Sequence, residues 1–444
     1  MPSSLLTITR CAVVLIMFAL TTPHTTAQKL RVTPLDGLVD EPLRISVSKV
    51  QPGQAITIRA STIDNENKLW QSYAGFYADS AGNVGAEQQA PSNASYSGID
   101  AMGLIWSMNV AGELYDKARF NVTRLDSLVF RFSLEIESRI VDSSTVIRRF
   151  MTPDVQWSRV NDASLVGTIF RPLAKGPSCA ILVIGGSEGG ISGEDVAAVL
   201  ASHGYSTFAL AYFGIGDLPS SLDEIPMEYF QKAITKLLGL PNVDSNGIVI
   251  LGTSKGAEAS LLLGSLDRRV RGIVGYVPSG VVWSCVCNAP NRSSWSVGGR
   301  PVPFIAGDFD PTFVPPKGFP ISPAINYQYR LQKTKNLDQV QIPVERINGP
   351  ILLISGKDDR MWPSFTLSEL VMHRLKDYQH PFTDEHLTFD RAGHLIGKLY
   401  LPAGSTSVAG GRLTTGGTPE GNAKAQAKSW PVVLRFLETV FHTR

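Results

Sequence analysis

Gly252-Thr253-Ser254-Lys255-Gly256 stands between the β-branched run Ile248-Val249-Ile250-Leu251 and the helix-forming Ala257-Glu258-Ala259. A Gly-x-Ser-x-Gly in that context predicts a strand, a sharp turn and a helix, with Ser254 at the tip. The turn strains the serine backbone and presents its hydroxyl to a base, while Gly252 and Gly256 leave room for neighbouring backbone to pass. The N–H of Lys255 opens the helix and points toward any oxyanion formed at the serine. The chemistry this predicts is nucleophilic attack by a hydroxyl on an acyl carbonyl. In a chain with 40 glycines the pattern alone is weak, and the flanking strand and helix carry it.

A serine nucleophile needs a base, and the base needs an acid to orient it. His394, in Ala392-Gly393-His394-Leu395-Ile396, follows the strand-like Leu387-Thr388-Phe389 and a short loop, which makes it the base. Of the competing histidines, His386 opens that strand, and His203, in Ser202-His203-Gly204, reads as a helix C-terminal residue before a glycine cap. The acid belongs in the loop after the apolar strand Ile351-Leu352-Leu353-Ile354, where Asp358 and Asp359 are both candidates. The Gly-x-x-Asp offset from Gly356 selects Asp359, to accept the imidazole N–H and fix its tautomer. A second oxyanion donor is expected from Gly185-Gly186-Ser187-Glu188-Gly189-Gly190, after Ile181 to Ile184, with Gly186 or Ser187 as the N–H. That glycine run lacks the Gly-Lys-Ser/Thr ending of a phosphate-binding loop.

These residues require strands that deliver them to one edge of a sheet. After Pro153, apolar strands alternate with helical segments: Leu165 to Phe170, Cys179 to Ile184, Thr207 to Tyr212, Ile248 to Leu251, Ile273 to Val277 and Ile351 to Ile354. Val196 to Ser202, Met227 to Leu238 and Ala257 to Leu266 lie between them as helices. Such alternation predicts a mostly parallel sheet covered on both faces, an α/β-hydrolase layout over 153–444. Residues 284–346 break the rhythm with Gly and Pro and read as a cap loop over the site mouth. Before Pro153, short alternating segments such as Ala55 to Ala60 and Val129 to Leu134, punctuated by Gly, Pro and Asn, predict an all-β immunoglobulin-like sandwich of about seven strands over 28–152. Trp70 and Trp106 read as core aromatics of that sandwich.

The 444 residues, 43% hydrophobic and 18% charged, suit two domains, and the net charge of +2 with no Lys/Arg block argues against nucleic acid as a partner. A small molecule is the expected partner, and oligomeric state leaves no signal. Residues 1–27 have the layout of a cleaved secretory signal, with Arg10 before an apolar stretch of about ten residues, half the roughly 20 a membrane span needs. No stable membrane anchor is expected after cleavage, and the destination is secreted or periplasmic. Of the cysteines left, Cys179 reads as a buried thiol, while Cys285 and Cys287 lie in a loop without the partners of a metal site, where a structural disulfide can form.

Taken in order, several segments resemble the acyl-CoA thioesterase and bile acid-CoA:amino acid N-acyltransferase family. They are Asp40-Glu41-Pro42-Leu43-Arg44-Ile45, Met102 to Trp106, Leu210-Ala211-Tyr212-Phe213, Asp217-Leu218-Pro219, Glu228-Tyr229-Phe230, Gly252 to Gly256, Ile342 to Arg346, Asp358 to Trp362 and Gly393-His394. The resemblance implies a two-domain serine hydrolase with Ser254, Asp359 and His394 as nucleophile, acid and base, and with no metal or organic cofactor. It also implies that serine at the nucleophile position goes with thioester hydrolysis, where cysteine goes with acyl transfer to an amino acid. The leader and the 284–346 insertion depart from the family pattern, which leaves an exported ester or another thioester as alternative substrates. An amino acid N-acyltransferase or a non-catalytic binding protein are further alternatives.

Overall fold

The computed structural model describes residues 27–110, 119–162, 164–173, 176–288, 291–307, 318 and 320–442. The expected leader, except for its last residue, lies outside them. The first half of the described chain is built of antiparallel strands with an alternating pattern. In Ala55–Ile63, Ile56, Ile58, Ala60 and Thr62 are buried and their neighbours face outward, as the two-residue period of a strand requires. Its partner Leu69–Tyr77 is in register, Ile58 opposite Ala74, and on the other side Ile58 faces Leu134 of Leu128–Ile136. With Arg139–Arg149, Asp36–Leu38 and two short strands these make a seven-stranded sheet. A three-stranded sheet of Lys29–Thr33, Arg44–Ser48 and Val84–Gly85 turns Leu30, Val32, Ile45 and Val47 into the same core as Ile56, Phe130 and Phe132. Trp70 and Trp106 lie in that core, each donating its indole N–H to an aspartate, Asp64 at 3.0 Å and Asp100 at 2.8 Å. One helical turn, Gly103–Trp106, interrupts the strands and is too short to show a helical period in the sequence.

The second half holds an eight-stranded sheet. Its strands in chain order are β1 (Val155–Asp162), β2 (Leu165–Pro172), β3 (Ser178–Ile184), β4 (Ser206–Ala211), β5 (Val243–Thr253), β6 (Val270–Tyr276), β7 (Ile351–Gly356) and β8 (Glu385–Phe389). Across the sheet they run β1-β2-β4-β3-β5-β6-β7-β8, with β2 antiparallel to both neighbours and all other pairs parallel. This is the α/β-hydrolase fold. The helices are α1 (Glu194–Ser202), α2 (Met227–Leu238), α3 (Lys255–Leu266), α4 (Ala324–Lys333), α5 (Ser364–Asp377) and α6 (Pro419–His442).

Both faces of the sheet are covered, which is why its central strands read as unbroken apolar runs. Ile181 and Val183 of β3 pack with α1 and α6, while Ala180, Leu182 and Ile184 pack with α2, α3 and α5. The β-rich half adjoins the α1/α6 face. There Asp40 accepts hydrogen bonds from His203 Nε2 at 2.7 Å and Trp430 Nε1 at 2.9 Å, and Tyr400 N–H bonds the Val39 carbonyl at 2.9 Å. His203 is the residue that closes α1, with Gly204 after it at φ 94°.

The 284–346 segment is more structured than a cap loop. Its described residues carry α4, a hairpin of Trp295–Val297 and Arg300–Pro301, and a short helix at Leu337–Val340. The hairpin is invisible to sequence patterning because its strands are two or three residues long and are completed by Ile225–Pro226, some seventy residues earlier. Among the described residues no helix is long and apolar enough to cross a membrane.

Candidate active site

β5 ends at Thr253 and α3 begins at Lys255, so the whole reversal falls on Ser254, held at φ 55° and ψ −121°. A non-glycine residue at positive φ is strained by about 1–3 kcal/mol and persists only where its surroundings enforce it. Here the Ser254 N–H bonds the Tyr276 carbonyl of β6 at 2.9 Å, and the two glycines allow the close approach. A Cβ on Gly252 would lie 2.5 Å from the Gly256 carbonyl oxygen, and one on Gly256 would lie 2.1 Å from the Gly185 carbonyl oxygen. Lys255 N–H sits at the first helical position, where no carbonyl within the helix can accept it.

His394 is delivered by the loop after β8. Its backbone N–H bonds the Thr415 carbonyl at 2.8 Å, and the Gly393 N–H is held by Asn422 Oδ1 at 2.8 Å. The imidazole Nε2 lies 3.0 Å from Ser254 Oγ and Nδ1 lies 2.9 Å from Asp359 Oδ2. A carboxylate only accepts, so Nδ1 carries the proton and Nε2 accepts from the serine hydroxyl, the tautomer a general base needs. Asp359 is fixed in turn by the N–H groups of Met361 and Trp362, at 3.0 and 3.3 Å to its Oδ1. Asp358 faces the other way, bound to Arg360 Nε at 2.8 Å and the Gly417 N–H at 2.9 Å. The structure thus brings Ser254, His394 and Asp359 together, and Asp358 is not among them.

The glycine-rich loop runs beside the serine, close enough that a Cβ on Gly186 would stand 3.3 Å from Ser254 Cβ. The two expected oxyanion donors are not equivalent. Gly186 N–H donates to Glu188 Oε1 at 3.2 Å, so it is engaged within the loop. Tyr212 hydroxyl donates to the carbonyls of Gly185 and Gly186, at 3.0 and 2.6 Å. Burial holds this phenol well above its ordinary pKa, which keeps it a donor. Because the peptide is planar and trans, fixing the Gly186 carbonyl turns the Ser187 N–H to the opposite side. Sequence reasoning placed Glu188 in this loop and Tyr212 at a strand end but gave neither a part in holding the loop. A buried tyrosine directly after an apolar strand was the available signal.

His386 is bound between Ser355 Oγ at 2.7 Å and Glu369 Oε1 at 2.8 Å, and burial lowers its pKa. Cys285 and Cys287 are joined as a disulfide, with the Asp223 carboxylate beside them, and Cys179 is half-buried outside that bond. A cavity of about 160 Å³ lies where the two halves meet, lined by Met102, Ile105, Trp106, Tyr400, Leu401 and Gln426 among others. It contains none of the candidate catalytic residues.

The model of the acyl-CoA thioester hydrolase/BAAT N-terminal region matches residues 40–162, and that of the BAAT/acyl-CoA thioester hydrolase C terminal matches residues 225–442. The chain is 30% identical over 424 residues to acyl-coenzyme A amino acid N-acyltransferase 1 of Mus musculus, covering 92% of this chain and 96% of that relative. It belongs to the acyl-CoA thioester hydrolase and bile acid-CoA:amino acid N-acyltransferase family. Acyl-coenzyme A thioesterase 6 of Homo sapiens is 29% identical over 419 residues, 91% of this chain and 93% of that one. The peroxisomal succinyl-coenzyme A thioesterase of Mus musculus is 28% identical over 425 residues, 89% of this chain and 93% of that one. Hydrolases and transferases of this family are thus similar to it at nearly the same level and over nearly the same length.

Proposed function

We propose that this member of the family hydrolyses acyl thioesters, releasing a free acid and coenzyme A, through an acyl-enzyme on Ser254. The observation that carries the reading is the relay Asp359 Oδ2, His394, Ser254 Oγ, with contacts of 2.9 and 3.0 Å, on the strained turn between β5 and α3. His394 Nε2 takes the hydroxyl proton as Oγ attacks the carbonyl, and Asp359 stabilises the imidazolium. The oxyanion is held by the N–H of Lys255 and one from the glycine-rich loop. Gly186 N–H would first have to leave Glu188, which favours Ser187 as that donor. Collapse expels the thiolate, which takes the proton from His394. Water, deprotonated by the same imidazole, then frees the acid. An oxygen ester at this stage is attacked by amines less readily than a thioester would be, which supports hydrolysis over transfer. Export is part of the proposal, since a disulfide such as Cys285–Cys287 is sustained in an oxidising compartment.

The test is turnover of palmitoyl-CoA beside a series of p-nitrophenyl esters, using the chain from Gln28 and a Ser254→Ala control. The reading expects thioester cleavage lost in the control. Ester turnover without thioester turnover would replace the substrate class with an exported carboxylester. The similarity to the mouse N-acyltransferase favours a second reading, acyl transfer to an amino acid. Amide product appearing only with added glycine or taurine would establish it.

A further inference from the structure

Glu258 lies one turn into α3, three residues after Lys255, and the two side chains are 0% and 4% exposed. The pair is the most deeply buried charge in the neighbourhood of Ser254, and the mechanism above gives its side chains no role. Glu258 Oε1 accepts from Lys255 Nζ at 2.7 Å, from Trp295 Nε1 at 2.8 Å and from the Trp283 backbone N–H at 3.2 Å. Burial pushes the carboxyl up and the ammonium down from their ordinary values. Desolvation on this scale makes a buried ion pair a poor source of stability, because well-packed apolar side chains in its place are often no less stable. What an apolar pair cannot do is fix three groups in direction at one oxygen.

Those three groups belong to the two sides of the site. Lys255 is the first residue of α3, directly after the serine. Trp283 and Trp295 belong to the segment that follows β6. From Trp283 a chain of edge-on aromatic contacts runs to Tyr327 of α4 at 4.8 Å, to Trp362 at 6.1 Å and to the ring of His394 at 6.0 Å between centroids. We infer that Glu258 is a positioning residue for the reaction: one carboxylate oxygen sets the first turn of the nucleophile helix and the tryptophan segment whose ring contacts end on the catalytic histidine. This rests on Ser254 acting as the nucleophile.

The experiment compares the full chain with three variants: Glu258→Gln, the double replacement Lys255→Met with Glu258→Met, and Trp295→Phe. Thermal melting, kcat and KM are measured for each, together with the rate at which a fluorophosphonate ester labels Ser254. Misplacing a reacting group by about 1 Å costs up to about 100-fold. The expectation is a fall of about 10- to 100-fold in kcat and in labelling rate for Glu258→Gln and the double variant, with KM near wild type. The double variant is expected to melt near wild type, which separates position from stability. Trp295→Phe keeps an aromatic ring and removes one donor, and is expected to lower kcat with KM held. Should the double variant both melt and turn over as wild type does, the pair is structural only and the inference is overturned. Unchanged kcat in Trp295→Phe and Glu258→Gln overturns it equally. A wild type that labels at Ser254 without cleaving thioesters sinks the substrate reading alone, and the labelling rates then decide the inference. A wild type that does not label at Ser254 overturns both.

Discussion

At the scale of single residues, the relay makes unequal demands on two adjacent aspartates. Asp359 holds the His394 tautomer, so Asp359→Asn is expected to lower kcat about 10⁴-fold with little change in KM, in steady-state assays against the cleaved acyl substrate. Asp358 bonds Arg360 and the Gly417 N–H, so Asp358→Asn is expected to leave kcat near wild type. Ser254→Ala removes the proposed nucleophile, and a loss of about a million-fold is expected. Equal losses at both aspartates would mean that the loop, rather than the contact to His394, is what matters. That Ser254, His394 and Asp359 would be brought together was legible because each follows an apolar strand at a fixed offset. The distinction between Gly186 and Ser187 was not legible. It depends on where Glu188 and Tyr212 point, and those directions are set by packing.

At the scale of elements, the serine turn is a fit between three pieces of backbone. A methyl on Gly256 would run into the Gly185 and Ile184 carbonyls. Gly256→Ala is therefore expected to destabilise the protein by about 1–3 kcal/mol and to lower kcat, because α3 or the glycine-rich loop must shift. Urea unfolding beside turnover checks both, and an unaffected kcat would show that the two loops move independently of the chemistry. The buried strands β3 to β7 and helices α1 to α3 are written in the sequence as long apolar or periodic segments. β1 is harder to see, because an edge strand with Trp157 and Gln156 exposed lacks a continuous apolar run. α6 has Pro431 inside its 24 residues and small polar residues in its first half, which hides the helical period.

At the scale of the whole molecule, Asp40 ties the β-rich half to two helices that cover the α/β sheet. Its Oδ2 accepts from His203, which closes α1, and from Trp430 in α6. The bond to Asp40 raises the His203 pKa above its ordinary value of 6.5, so the protonated folded form is favoured. The stabilisation is full below about pH 6.5 and is lost as pH rises through the folded-state value. His380, bonded to Asp384 and the Ile347 carbonyl, is raised as well and adds the same sign. His203→Gln is expected to melt lower than wild type at pH 5.5, with the gap narrowing toward pH 8.5. A constant gap would show that the ring contributes by packing alone. Trp430→Phe, removing one buried hydrogen bond to a carboxylate, is expected to cost about 1.5–3 kcal/mol in urea unfolding at neutral pH.

By itself the sequence determined what is local. The Gly-x-Ser-x-Gly turn, the apolar strands feeding it, and the acid and base at their offsets all follow from backbone sterics and from burial on two faces, which act over a few residues. The tertiary structure alone decided which groups share an acceptor. Asp40 meets residues 163 and 390 positions away, and Glu258 gathers Trp283 and Trp295 from 25 and 37 positions away. A hydrogen bond needs its partners within about 3 Å and aligned. At such separations no spacing rule survives, and only the packed sheet and its helices bring the atoms to one point.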